Sequence, residues 1–92
     1  MLIRMISITF SKKFKKAYAK LHRDIREKFD ERLYIFSRDR NAFILKRHKL
    51  KGLLLDCESV NITGDYRAIF EWVTNDHVEF LNIGTHSQLY EN

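Results

Sequence analysis

The sequence predicts an α+β fold in which a helical hairpin packs on one face of a small antiparallel sheet, in the order β-α-α-β-β-β. Three observations predict it. Phe14, Tyr18, Leu21, Ile25, Phe29, Leu33 and Phe36 recur at spacings of three or four, an apolar stripe of helical period. Two runs rich in β-branched and aromatic residues, 66–73 and 78–83, flank the polar turn Thr74-Asn75-Asp76, the pattern of a β-hairpin. Ile6, Ile8 and Phe10 share one face by the two-residue period of a strand. Each amphipathic layer needs a partner to cover its apolar side, and helices laid on one sheet face satisfy both. The opposite sheet face is then left partly open, and a site could sit there.

The elements follow in order. An opening strand spans roughly 2–10. Ser11 stands as N-cap of the first helix, because its hydroxyl can accept from the free amides of the first turn. The apolar stripe is too long for one helix of a small domain, so a break is placed near His22-Arg23, with helices over 12–21 and 23–38 and Asp24 in the first turn of the second. Residues 39–51 are irregular and strongly basic. A short strand is expected near 53–62, its alternation weakened by LLLD. Gly64 supplies a turn by tolerating positive φ, and the hairpin follows.

Ninety-two residues make one domain, 1–92, with no room for a second core. A hydrophobic share of 45% is that of a globular chain rather than a disordered one. The apolar N-terminus alternates like a strand and precedes its basic cluster, so it does not read as a signal peptide. No stretch approaches the ~20 apolar residues of a membrane span, and a cytoplasmic location is expected. Cys57, the single cysteine, has no partner for an internal disulfide and reads as a semi-buried small residue. No Cys/His cluster has zinc spacing, so neither a metal nor a small-molecule cofactor is expected.

Charge is unevenly distributed. Residues 1–51 hold sixteen of the seventeen Lys and Arg against five Asp and Glu, and residues 52–92 hold one Arg against seven acids, so the halves carry about +11 and −6. That polarity points to a polyanion or an acidic protein for the first half, or to lysines that only solvate helix faces. Lys12, Lys13, Lys15, Lys16 and Lys20 line one end of it. Arg38, Arg40, Lys46, Arg47, Lys49 and Lys51 lie further along. As an RNA-binding surface they would act through phosphates, with little sequence preference and steep salt dependence.

HKLKG at 48–52, GDYRAIFEW at 64–72 and IGTHSQLY at 83–90 resemble the signature of the RelE/ParE superfamily of toxin–antitoxin toxins, and of its YafQ-like ribonucleases in particular. FSKKFKKAYAKL resembles the family's first helix, so the likeness covers almost the whole chain. It implies an mRNA interferase that enters the ribosomal A site, cleaves the mRNA there and is neutralised by a cognate antitoxin. The YafQ-like active site is similar to the set present here as His48, Asp65, His86 and Tyr90. Arg67 matches an arginine of the RelE branch that contacts the scissile phosphate. The sequence departs at Asn61, where the YafQ-like pattern often places a histidine, and it lacks the lysine- and arginine-dense centre of RelE.

These residue types suit metal-independent RNA cleavage. Attack by the substrate's own 2′-hydroxyl needs a base, an acid for the departing 5′-oxygen, and positive charge for the phosphorane. Histidine, with an ordinary pKa of about 6.5, serves on either side of neutrality. Arginine offers a charged fork for phosphate, and an aromatic can stack on a splayed base. The assignment makes His86 the principal acid–base residue, His48 or Asp65 the assistant in 2′ deprotonation, Arg67 the phosphorane counter-charge and Tyr90 the nucleotide's support. Plainer roles stand beside these. His86 could be a surface loop residue and Asp65 a turn cap. Arg67 could pair with Glu71, and Tyr90 could merely pin the C-terminus. His22 and His77 are expected to face solvent. Two other functions compete: a ParE-like inhibitor of DNA gyrase, and a non-catalytic RNA-binding protein.

Overall fold

The computed structural model describes residues 5–90. β1 (Ser7–Phe10) leads through Ser11 into α1 (Lys12–Ala19), and α2 (Arg23–Arg38) follows after a short break. A 3-10 turn at Phe43–Leu45, the two-residue β2 (His48–Lys49) and a second 3-10 turn at Gly52–Leu54 fill the basic segment. β3 (Cys57–Thr63), β4 (Tyr66–Thr74) and β5 (His77–Thr85) form a meander, and α3 (His86–Tyr90) closes the described chain. The sheet order is β1-β5-β4-β3-β2.

The helix boundaries have identifiable causes. Ser11 Oγ accepts from the Phe14 amide at 3.0 Å and donates to the Leu81 carbonyl at 3.0 Å, so the cap of α1 is also a tether to β5. His22 caps α2, its Nδ1 accepting from the Asp24 amide at 3.2 Å. This cap, with neither Gly nor Pro, splits the stripe where the sequence places the break, although α1 ends earlier than residue 21. The stripe then folds back on itself over the sheet. Phe14 and Phe29 meet at 5.3 Å, and Phe29 meets Phe80 edge-on at 5.5 Å. Phe36 packs on Phe70 at 5.2 Å. Phe29, Phe36, Phe70 and Phe80 are almost wholly buried, and ring pairs at these separations favour offset and edge contacts. Phe70 and Trp72 lie under the helices, as their alternation with Arg67 and Glu71 suggests.

Four features correct the sequence reading in detail. The sheet is mixed rather than wholly antiparallel: β1 pairs parallel with β5, in the register Phe10↔Phe80. The free edge of β5 lets Phe10 stack on Phe80 at 6.0 Å and complete the aromatic layer. The strand expected over 53–62 begins only at Cys57, because Gly52, with φ +66, starts a 3-10 turn that leaves Leu53 and Leu55 exposed. The basic segment, read as irregular, contributes β2. His77 is half-buried, with its Nε2 2.8 Å from Thr9 Oγ1, rather than facing solvent. The first part of the opening strand, residues 2–4, lies outside the described residues. Gly64 (φ +50) and Asp65 form the β3–β4 turn as expected. No helix among the described residues is long and apolar enough to cross a membrane.

Candidate active site

The face of the sheet away from the helices carries the candidate site. Strand alternation places Cys57, Ser59 and Asn61 of β3 on that face, with Arg67 and Ile69 of β4 beside them. At its end, Arg67 lies opposite Gly84 and Tyr66 opposite Thr85, and β5 runs directly into α3 at His86. The turn into α3 is held by a reciprocal pair: the Gln88 amide donates to Thr85 Oγ1 at 3.3 Å, and the Thr85 amide donates to Gln88 Oε1 at 2.8 Å. A Cβ at position 84 would stand 2.6 Å from Gln88 Oε1, so the strand can carry this cap closely only because residue 84 is glycine. His86 and Tyr90 are four residues apart on one side of α3, and their rings meet at 4.7 Å. The Tyr90 hydroxyl is buried without a hydrogen-bond partner among the described residues.

His48 arrives from the opposite edge. In β2 it pairs with Ser59, whose side chain is fully buried. Lys46, in the left-handed conformation at φ 44, ψ 47, ends the preceding 3-10 turn. Its carbonyl accepts from Arg67 Nη2 at 3.1 Å and lies 3.2 Å from His48 Nδ1. Arg67 also donates to Ser59 Oγ from Nε at 3.1 Å and from Nη2 at 2.9 Å. Arg67 therefore pairs with Ser59 and the Lys46 carbonyl, and not with Glu71. His48, Leu50, Arg67, His86 and Tyr90 line one open pocket of about 400 Å³.

Four of the five residues singled out for catalysis thus meet. Asp65 does not line the pocket: it is exposed at the tip of the β3–β4 turn, one residue before Tyr66, at the same end of the sheet. Asn61 stands directly across from Arg67 but does not line the pocket either. Sequence reasoning missed Ser59, Leu50 and the Lys46 carbonyl. Ser59 had a signal, a small hydroxyl in the second half of the strand expected near 53–62. The carbonyl had none, since it depends on Lys46 adopting a left-handed conformation that its side chain does not announce.

The basic residues divide into two groups. Lys12, Lys13, Lys16, Lys20, Lys46, Lys49 and Lys51 are exposed. Lys13, Lys16 and Lys20 border a second hollow of about 450 Å³ with Tyr66, Asn82 and Gln88. Arg40 and Arg47 are instead engaged with the protein. Arg40 lies 4.8 Å over the Trp72 ring, and Arg47 at 5.9 Å. Arg47 Nε is 2.8 Å from Glu58 Oε1, and Trp72 Nε1 donates to Glu58 Oε2 at 2.9 Å. Cys57 is buried on the open face, and burial, reinforced by the charges of Glu71 and Asp56, pushes its thiol pKa up, the reverse of what a nucleophile needs. No group of three or more His, Cys, Asp or Glu able to hold a metal occurs among the described residues.

A five-stranded sheet of this order, covered on one face by a helical hairpin and ending in a short C-terminal helix, is the fold of the small RelE-, YoeB- and YafQ-type toxins. The chain is similar in structure to a YoeB/ParE toxin from Agrobacterium tumefaciens, with a TM-score of 0.73, 18% identity and coverage of 88% of this chain and 99% of that one. It is similar to an E. coli DinJ–YafQ complex at TM-score 0.70 and 22% identity, covering 92% and 98%. A YoeB–YefM complex from Staphylococcus aureus matches at TM-score 0.69 and 26% identity, covering 88% and 97%. At these identities the likeness is one of fold, and it agrees with the resemblance carried by the three motifs. No protein-family model and no curated protein sequence matches the chain.

Proposed function

We propose that this chain is the toxin of a toxin–antitoxin pair and a ribosome-dependent mRNA endoribonuclease that arrests translation. The observation that carries the reading is the single pocket lined by His48, Arg67, His86 and Tyr90, which come from three separate parts of the sequence. An arginine beside His48, with His86 in the lining of the same pocket, suits a phosphodiester and its flanking sugar.

In the proposed reaction the 2′-oxygen attacks phosphorus while its proton passes to His48. The P–O5′ bond breaks as His86 protonates the departing oxygen. The products are a 2′,3′-cyclic phosphate and a 5′-hydroxyl. Arg67 balances the phosphorane charge, and Tyr90, whose ring lies tilted against His86, supports the nucleotide. With Asp65 away from the pocket lining, His48 takes the base role. Proton transfer by a positioned side chain typically contributes 10²- to 10⁴-fold, so each histidine should be indispensable to useful rates.

The exposed lysines of α1 and of residues 46–51 would hold ribosomal RNA and mRNA through phosphates, steeply weakened by salt. A cognate acidic antitoxin would cover the same surface, neutralising the toxin and excluding substrate in one event. The antitoxin complexes among the structural neighbours support such a partner. Action on ribosomes places the protein in the cytoplasm.

A reconstituted translation system tests the proposal. The wild-type protein is expected to cut mRNA at the A site, and purified antitoxin is expected to stop it. Gyrase-dependent DNA breaks without RNA cleavage would establish the ParE-like alternative. RNA binding with neither activity would establish a binding protein.

A further inference from the structure

The contacts around Ser59 favour one arrangement of hydrogen atoms and lone pairs. Arg67 Nη2 has two hydrogens. One goes to Ser59 Oγ at 2.9 Å and the other to the Lys46 carbonyl at 3.1 Å. Arg67 Nε donates to the same Ser59 oxygen at 3.1 Å, so both Oγ lone pairs are filled. Nη2 has no third hydrogen for His48 Nδ1, although that nitrogen lies 3.2 Å away. In this arrangement His48 Nδ1 is the donor, and its proton goes to the Lys46 carbonyl at 3.2 Å. The Ser59 hydroxyl proton has one acceptor left, His48 Nε2 at 3.5 Å. The opposite tautomer would aim a third donor at an oxygen with two lone pairs and leave the Ser59 proton without an acceptor.

From this set we infer that Ser59 is a positioning residue, which fixes His48 as the Nδ1–H tautomer with its Nε2 lone pair available and turns the free Nη1 edge of Arg67 to the phosphate. Nothing in the three motifs marks Ser59, which belongs to none of them. It does not touch the pocket and acts only through His48 and Arg67. Its contact to Nε2 is the longest of the set, so it is the one most readily exchanged for a substrate 2′-hydroxyl. Nη1 is the guanidinium nitrogen without a protein partner among the described residues. The catalytic part of the inference rests on the endoribonuclease reading above, whereas the tautomer does not.

The test uses the full chain labelled with ¹⁵N-histidine. In the wild-type protein, the neutral form of His48 is expected to show a protonated Nδ1 and an unprotonated Nε2. Ser59→Ala is expected to shift His48 toward the Nε2–H form that an unconstrained histidine side chain prefers, and to lower the cleavage rate about 100-fold with KM changed less than threefold. That loss lies within the range of a misplaced proton-transfer group. Ser59→Cys, which keeps a weak donor and acceptor in nearly the same volume, should recover part of both. A wild-type His48 carrying its proton on Nε2 overturns the inference without any variant, so it stays testable even if Ser59→Ala does not fold. A Ser59→Ala protein with wild-type tautomer and rate overturns it as well. Wild-type protein that shows the predicted tautomer but cleaves no RNA would refute the endoribonuclease reading and leave the assignment of Ser59 standing.

Discussion

Replacing Glu58 should expose how the basic segment is held beside the site. Its carboxylate takes the Trp72 indole N–H at 2.9 Å on one oxygen and Arg47 Nε at 2.8 Å on the other. Arg47 in turn donates to the Arg40 carbonyl at 3.2 Å and to Asn41 Oδ1 at 3.3 Å, pinning the segment that ends at Lys46. Glu58→Ala leaves a half-buried indole donor without an acceptor, worth about 1–2 kcal/mol. It also breaks an ion pair. Breaking a fully buried pair costs about 3–5 kcal/mol, but the side chains here are 27% (Arg47) and 11% (Glu58) exposed, so screening reduces the loss to about 1–2 kcal/mol. The sum is about 2–4 kcal/mol, or roughly 10–25 °C in Tm for a domain of this size. Glu58→Gln offers one carbonyl oxygen to two donors and should cost about 1 kcal/mol. Trp72 is the single tryptophan, so urea denaturation followed by its fluorescence reads the perturbed site directly. An alanine variant within 0.5 kcal/mol of wild type, or a glutamine variant as unstable as alanine, would refute this reasoning.

Three further perturbations probe other parts of the structure. Gly84→Ala should displace the Gln88 cap and loosen α3, costing about 1 kcal/mol of stability while lowering cleavage at least tenfold, because α3 carries His86 and Tyr90; calorimetry and a cleavage assay together separate the two effects. Cys57 should react with iodoacetamide at pH 8 about tenfold or more slowly in the folded protein than in denaturant, since burial and its acidic neighbours raise the thiol pKa. Burial raises the Tyr18 phenol pKa, helped by its hydrogen bond to Asp30 at 2.9 Å. A raised pKa contributes stability that is complete below the unfolded value near 10 and lost as pH rises through the folded value, so wild type should lose more stability than Tyr18→Phe above pH 10 in pH-dependent unfolding.

Periodicity carried much of the fold. The phenylalanine stripe located both helices, and the hairpin was placed within a few residues, because each pattern reflects burial along a single element. The direction of β1 was not legible, since parallel pairing with β5 depends on a contact between residues 70 positions apart, Phe10 and Phe80. LLLD misled because three leucines resemble a strand, whereas the 3-10 turn that Gly52 starts at positive φ leaves Leu53 and Leu55 exposed. At the candidate site, the motifs contain His48, Arg67, His86 and Tyr90, which the fold brings to one pocket. Their shared support was not legible: Ser59 shows only as a hydroxyl within a strand, outside all three motifs, and the Lys46 carbonyl depends on a left-handed backbone conformation that no residue pattern announces. Arg40 and Arg47 read as free cations by composition, yet Trp72 and Glu58 hold them.

The most direct measurement is the end chemistry and rate of mRNA cleavage on programmed ribosomes, comparing wild type with His86→Ala. Wild type should leave a 2′,3′-cyclic phosphate and a 5′-hydroxyl. His86→Ala, its fold confirmed by circular dichroism, should cut at least 100-fold more slowly, as loss of a positioned proton donor requires. Products ending in a 3′-hydroxyl and a 5′-phosphate, or undiminished cleavage by His86→Ala, would contradict a pocket that works through the substrate's own 2′-hydroxyl.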